Sequence, residues 1–510
     1  MQKKYLIGVD LGTSGTKAAL YQIDGKLISD ASMEVPLFYP APGVVEQNNE
    51  DFYTSASQTV RNCIASSGIE PKAIAAIAFD SQMAGIGLID EDFKPVSRFD
   101  SWLDMRCQPY IEWMDKEAGD RITQLTGCPP TCDHGPKMLW WKNEKPDVYR
   151  RTAKFVMPGT YVAGKAAGLK ADQAFIDHTY IHFSGFSDAQ NIKWSDELCG
   201  KFGLDKDKLP KIIDPCDIIG EVSENAAQEF GLAPGTLIAA GAGDTAANAL
   251  GAGIVRAGML FDVAGTAAVL AGCTDKFVAD VKNRALLTMR SVIPVLWNPL
   301  AYIGGGGLAL RWFRDHFFNT AQGQVLPVSD DLYSQMISMV DSVAPGSDGL
   351  LFSPHLGGRI CPSSPAMRGA WVGASWSHTQ AHFARAILEG VAFEYAYYLT
   401  ILKDLFPQLE LVETRVVGGG ARSEVWNQIK ADVLNVPYQR LKGSEFGVWG
   451  AAMIAGKAAG LIEDLAAHAE HTAIRNGKPT TPSKLNHEIY KPLIEKYIVL
   501  ERTLNQFFAN

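Results

Sequence analysis

Residues 8–17 read GVDLGTSGTK, a glycine-rich run ending in lysine directly behind the apolar start Tyr5-Leu6-Ile7. The run invites a P-loop reading, which needs G-x-x-x-x-G-K-[ST] between a strand and a helix so that backbone N–H groups and a helix dipole meet the phosphates. The residues fail that pattern. The glycines are Gly12 and Gly15, Lys17 follows Thr16, and Ala18 stands where Ser or Thr belongs. Downstream, KAALYQI (17–23) meets the turn dipeptide Asp24-Gly25, after which KLISDASMEV (26–35) resumes an extended pattern. Ser14-Gly15 and Asp24-Gly25 are both hairpin-turn pairs, so the opening reads as three antiparallel strands. A hairpin still holds phosphate. Its turn N–H groups form an anion-binding concavity, to which threonine hydroxyls and Lys17 add donors. Asp10 would repel a bare phosphate, and makes sense if Mg²⁺ or its water shell sits between them. An exposed hairpin with an ordinary aspartate is the plain alternative.

Working outward, a looser copy appears near mid-chain. MLFDVAGTAAVLAG (259–272) again runs apolar strand, Asp, Gly-Thr, small residues, apolar strand, with Asp262 lying 252 positions after Asp10. The gap from Asp to Gly is three residues here and two in the first copy. Two strand–turn–strand units, one per half, predict a duplicated α/β fold whose halves face each other across a cleft. A nucleotide phosphate chain held between two such hairpins would account for both.

Between the copies lies GTLIAAGAGDTAANALGAG (235–253). GAGDTA fits the dinucleotide pattern G-x-G-x-x-A, with Asp262 about 20 residues on where a ribose-binding acid would stand. Against this, AANAL is very short for a crossover helix, and Asp244 would face the pyrophosphate. The other reading puts Asp244 on a glycine turn at a strand's carboxyl end, projecting into the cleft as a proton acceptor. A buried or helix-capping aspartate is the third.

Bulk properties bound the function. At 510 residues, two large domains or more are expected. Hydrophobic content of 47% and charged content of 20% suit a globular chain, and a net charge of −9 argues against a general nucleic-acid binder. The start MQKKYLIGVD reaches Asp10 too soon for a signal-peptide core, and no window offers about 18 uncharged apolar residues, so a cytoplasmic protein without a membrane span is expected. The eight cysteines are sparse; CPPTC (128–132) has no second pair at zinc spacing, and reduced thiols are expected. His178/His182 and His378/His382 are spaced i, i+4 without the glutamate of a zinc hydrolase motif.

Taken together, DLGTSGTK (10–17), AGAGDTAANALGAG (240–253), SPHLGGRICPSSPAMRGAWVGASWSHTQAHFARAILEGVAF (353–393) and VVGGGARSEVWNQIKADVLNVP (416–437) resemble, in order and over nearly the whole length, the FGGY carbohydrate kinases, closest to their xylulokinase branch. The resemblance implies two actin-like (ribonuclease H-like) α/β ATPase domains, about 1–254 and 255–510. ATP would lie mainly on the second, the sugar on the first, and the site in the cleft between them. It implies Asp244 as the general base and Asp10 as the catalytic aspartate for Mg²⁺ and ATP. Gly12, Thr13, Ser14 and Lys17 would form one phosphate segment, and Gly265 and Thr266 the other. Gly306, Gly419, Gly420 and Ala421 fall in glycine runs that let a purine and ribose approach the backbone. SWLDMRC (101–107) is similar to the family's W-x-D-x-R run, placing Trp102, Asp104 and Arg106 on the sugar side. Gln82, Met83 and Ala84 match a segment that xylulokinases commonly show as Q-M-H-G.

Two departures bear on the sugar. Ala84 stands where that histidine would be, and Thr245 follows the base where xylulokinases usually carry Asn. Sites built to hydrogen-bond a hydroxyl discriminate strongly, so both changes move the expected substrate toward another ketose, a polyol or a deoxysugar. GGR (357–359) also replaces the family's G-E-R. The rival class is a regulatory sugar-binding protein of the same fold, closed by nucleotide without transfer; an intact Asp244 favours the kinase. A homodimer is common among such relatives.

Overall fold

The protein is described here from a computed structural model covering residues 4–318, 320–321, 324–325 and 330–509. The opening residues form the three antiparallel strands expected: β1 (Tyr5–Leu11), β2 (Gly15–Gln22) and β3 (Leu27–Glu34). Strand β4 (Ile74–Ser81) pairs parallel to β1, with Asp10 beside Asp80. Beyond it lie β5 (Ile218–Glu221), β6 (Leu237–Ala239) and the short β7 (Ala242–Gly243), in the order β5–β6–β4–β1–β2–β3 with β7 also on β4. Every residue of β4 is buried, the mark of a parallel strand covered on both faces.

The second sheet repeats this plan. Strands β8 (Met259–Ala264), β9 (Ala268–Gly272), β10 (Leu287–Arg290) and β11 (Trp297–Ile303) are antiparallel neighbours, while β12 (Glu413–Val417) runs parallel beside β8 and β13 (Tyr438–Arg440) beside β12. In both sheets a hairpin strand is flanked by its antiparallel partner on one side and a parallel strand on the other. The duplication read from GVDLGTSGTK and MLFDVAGTAAVLAG is therefore a duplication of topology.

Alternation along β1 divides the packing. Ile7, Val9 and Leu11 face a core with Phe52 of helix α1 (Asn49–Ser67), Phe79 and Phe230. Leu6 joins the opposite core, which is continuous with that of the second sheet. On this face α2 (Asp244–Gly251) meets α6 (Phe446–Ala458), while α3 (Gly306–Phe313), α4 (Gln380–Leu405), α5 (Glu424–Leu434) and α7 (Lys484–Ala509) belong to the second half. Small residues let these backbones touch. A Cβ on Gly8 would lie 1.8 Å from the Val448 carbonyl oxygen, and one on Gly450 would lie 2.0 Å from that of Ala247. Helix α6 thus returns from the second half to cover the first sheet.

The dinucleotide reading of 241–262 is overturned. Helix α2 has only eight residues and leads into β8, which belongs to the second sheet and pairs antiparallel with β9. Asp262 is fully buried rather than open to a ribose, accepting hydrogen bonds from Lys430 Nζ at 2.6 Å and the Tyr395 hydroxyl at 2.9 Å. In the second copy the aspartate has become a core ion pair.

Candidate active site

Three carboxylates meet at one sheet edge. Asp10 is the next-to-last residue of β1, Asp80 the next-to-last of β4, and Asp244 follows β7 as the first residue of α2. The register sets Asp80 beside Asp10 on one side and beside Ala242 on the other. Asp80 is fully buried, whereas Asp10 and Asp244 keep partial exposure. Carboxyl ends of parallel strands are where open α/β sheets place their chemistry.

Burial, and next the charge of Asp10, push the Asp244 carboxyl up to about 7. Opposing them, Thr245 donates its N–H to Asp244 Oδ1 at 2.5 Å and its hydroxyl to the same oxygen at 3.1 Å. Thr245, expected on the sugar, also hydrogen-bonds Asp244. Burial also raises Asp10, against the adjoining Asp80 side chain and the charge of Lys17. Asp80 is raised well above the carboxylate range by burial, then by Asp10 and Asp244. Sequence reading missed Asp80; its signal is an acid at the end of the otherwise apolar run IAAIAF (74–79).

Each hairpin turn is closed by a glycine N–H. Gly12 N–H donates to the Gly15 carbonyl at 3.0 Å, and Gly265 N–H to that of Ala267 at 3.1 Å. Among the described residues this leaves the N–H groups of Thr13 and Ser14, and of Thr266 and Ala267, without backbone acceptors. Ser14, Thr266 and Ala267 are exposed. Such paired free amides suit phosphate oxygens. Lys17 instead reaches Glu445 Oε2 at 2.9 Å.

Two glycine runs converge on the second hairpin. Gly307 and Leu308 N–H groups donate to the Gly265 and Thr266 carbonyls, both at 3.1 Å, so the start of α3 braces the turn. A Cβ on Gly306 would lie 2.3 Å from Ala268 Cβ, which makes Gly306 a packing glycine. Gly418, at φ +88°, brings the turn 419–422 against Ala264, whose carbonyl oxygen would be 2.8 Å from a Cβ there. Gly419 is open, with nothing within 4 Å of a Cβ. Gly420 packs on Trp426, and the Ala421 carbonyl accepts from Asn427 Nδ2 at 2.8 Å.

The segments expected on the sugar side connect to the first hairpin. Gln82 Nε2 donates to Gln47 Oε1 at 2.9 Å, and Gln47 Nε2 to the Thr13 carbonyl at 2.9 Å. Trp102, 44% exposed, donates its indole N–H to the Thr13 hydroxyl at 2.8 Å. The Met83 methyl carbon would be 2.6 Å from a Cβ on Gly243, so it stands beside Asp244. Ala84 adopts a left-handed φ of 61°, and its carbonyl accepts from the buried Lys137 Nζ at 2.8 Å. Asp104 and Arg106 are not free in the same way. Arg106 is ringed by Asp104, Asp100 and Glu46 at 2.9, 2.6 and 3.0 Å and lies over the Trp140 ring, while Asp104 Oδ2 also accepts from Val45 N–H at 2.8 Å. The pair braces the loop that presents Trp102.

Other sequence features fall elsewhere. Cys132 lies near Cys107, at 3.6 Å between sulfurs, rather than pairing within CPPTC. His182 is buried against Phe183, and His178 Nε2 lies 3.4 Å from Asp214. Arg359 of GGR reaches Glu394 at 2.6 Å in the cluster formed by His355, Glu394 and Glu501, supplying there the positive charge that a metal ion would otherwise bring.

Two duplicated sheets with a carboxylate edge and two amide-rich hairpins define an actin-like ATPase fold. Residues 5–251 match the FGGY family of carbohydrate kinases, N-terminal domain, and residues 263–459 match its C-terminal domain. The chain belongs to the FGGY family of carbohydrate kinases, phosphotransferases that use ATP. It is 28% identical over 504 residues to the xylulose kinase of Bacillus subtilis (strain 168), covering 97% of this chain and 96% of that one. It is also 28% identical over 509 residues to the gluconokinase of the same organism, covering 99% and 97%. The crystal structure of xylulose kinase from Rhodospirillum rubrum superposes with a TM-score of 0.90 at 25% identity, covering 99% of this chain and 100% of that chain. Among the described residues no helix is long and apolar enough to cross a membrane.

Proposed function

We propose that the protein transfers the γ-phosphoryl group of ATP to a hydroxyl of a small ketose such as D-xylulose, with Asp244 as general base. The observation that carries this reading is Asp244 itself: a carboxylate at a helix start, oriented by Thr245 and adjoining Asp10 and the Met83 segment. The attacking hydroxyl oxygen bonds to the γ-phosphorus as its proton passes to Asp244, and the bond to the β–γ bridging oxygen breaks to release ADP. Transfer of this kind needs no strong base, because the proton leaves late.

The remaining residues bind and orient. The free amides of Thr13 and Ser14 face one side of the phosphate chain, and those of Thr266 and Ala267 the other. The segment 418–421 takes the adenosine, with Gly419 as the open position. Asp10 would hold Mg²⁺, which neutralises phosphate charge when bound; a carboxylate that forms no ion pair among the described residues fits that hard cation. Trp102, Met83 and Ala84 line the sugar, and closure of the halves, about 1–254 and 255–510, excludes water. We place the enzyme in the cytoplasm.

A second reading concerns the acceptor only. A relative of equal identity is a gluconokinase, and Ala84 offers the sugar a methyl group where a histidine would offer a donor, so another ketose, a polyol or a sugar acid is the rival substrate. ADP release across ketoses, polyols, deoxysugars and aldonates tests both. Stimulation by D-xylulose above all others supports the first reading, a preference for gluconate supports the second, and no stimulation by any sugar refutes the kinase.

A further inference from the structure

Asp80 has no role in the scheme above, yet its position is unusual. It is 0% exposed, and neither carboxylate oxygen has a donor among the described residues. Leaving a buried carboxyl without a donor costs more than most single contacts return. Its neighbours add to the cost. Asp10 stands beside it in register on β1, and Asp244 follows the strand that flanks it on the other side. Among the described residues none of the three forms an ion pair, because Lys17 is engaged by Glu445 and the Asn248 amide donates to the Asp244 carbonyl instead.

Asp80 has no slack through which to turn away. A Cβ on Gly447, at the start of α6, would already lie 3.5 Å from Asp80 Oδ2 and 2.9 Å from Asn248 Nδ2. The start of helix α6 therefore packs against Asp80. Two carboxylates on adjacent strands, one of them unpartnered, are a donor set for a hard divalent cation with oxygen ligands.

We infer that Asp80 is a second carboxylate of the divalent-cation site, so that this chain holds the metal of its nucleotide with the pair Asp10–Asp80 rather than with Asp10 alone. The inference rests on the proposed Mg²⁺-dependent transfer from ATP. Its rival is a neutral carboxylic acid that hydrogen-bonds Asp10 and meets no metal.

Manganese(II) is the probe, its free signal followed by electron paramagnetic resonance during titration of the full chain with ADP present. Wild type, Asp80→Asn and Asp80→Ser are compared, with ADP affinity in the absence of metal and circular dichroism as checks on the fold. Loss of at least tenfold in manganese affinity for both variants, with metal-free ADP affinity within twofold of wild type, is the expected result. A smaller loss in either variant overturns the role of Asp80 while leaving the kinase reading intact. Absence of manganese binding by the wild-type complex with ADP overturns the metal-dependent reading itself.

Discussion

Lys17 of the first hairpin and Glu445, at the N-cap position of α6 428 positions later, form an ion pair of 2.9 Å. Their side chains are 51% and 39% exposed, so the pair contributes at most about 1 kcal/mol to stability. Its effect is on ligand binding instead. In the proposed reaction the phosphates would need the lysine that Glu445 holds, and ATP would have to draw it away. Glu445→Gln is expected to lower KM for ATP several-fold, with the gain shrinking at high salt, while Lys17→Met raises it. Both follow from initial rates at varied ATP and ionic strength.

Asp244→Asn keeps the shape of the site and removes the proposed proton acceptor. Turnover is expected to fall by about 10²–10⁴-fold. Nucleotide affinity, measured by calorimetry, is expected to stay within twofold. Normal activity in this variant refutes the assignment of the base.

The pH dependence follows from the same residue. Its folded carboxyl is raised to about 7 by burial and Asp10, above the ordinary 3.8, so the ionised base is lost as pH falls through about 7. The acidic limb of kcat/KM for the sugar is expected there. For stability the sign is the reverse: a raised acid binds more protons folded than unfolded, so its contribution worsens as pH rises from about 4 to 7. Asp244→Asn is expected to raise Tm by a few degrees at pH 8, and by progressively less toward pH 4.

Thr245→Val removes the hydroxyl donor to Asp244 Oδ1 at 3.1 Å but keeps the backbone N–H. Less stabilisation of the anion moves the acidic limb upward. A limb that stays in place, with only KM for the sugar altered, assigns Thr245 to the sugar instead.

Gly8→Ala tests whether α6 belongs with the first sheet. The new Cβ would meet the Val448 carbonyl oxygen at 1.8 Å, and both backbones are held by neighbours. A loss of about 1–3 kcal/mol is expected, read as a lower Tm.

How much of this was legible in the sequence follows the range of the interactions. Ser14-Gly15 and Asp24-Gly25 act over two residues, so the hairpins could be read directly, and the small residues of 244–251 announced a close helix contact. Asp80 could not be singled out, because an acid ending an apolar run looks like any strand end until β1 and β7 flank it. The ion pairs Lys17–Glu445 and Asp262–Lys430 join residues far apart in the chain and leave no local pattern. Arg106 reads as a sugar ligand in its motif, and only the folded loop brings Glu46 and Asp100 around it. The return of α6 is hidden for the same reason, since its burial on both faces shows a core helix but not which sheet it covers.

The central claim, transfer of the γ-phosphoryl group to a sugar hydroxyl with Asp244 as base, is tested most directly by phosphorus NMR of the reaction of ATP with D-xylulose. A new sugar phosphate monoester growing in step with ADP is expected for the wild-type enzyme, and no ester with Asp244→Asn. Inorganic phosphate in place of the ester, with any sugar of the panel, or an ester formed equally by both proteins, would contradict it.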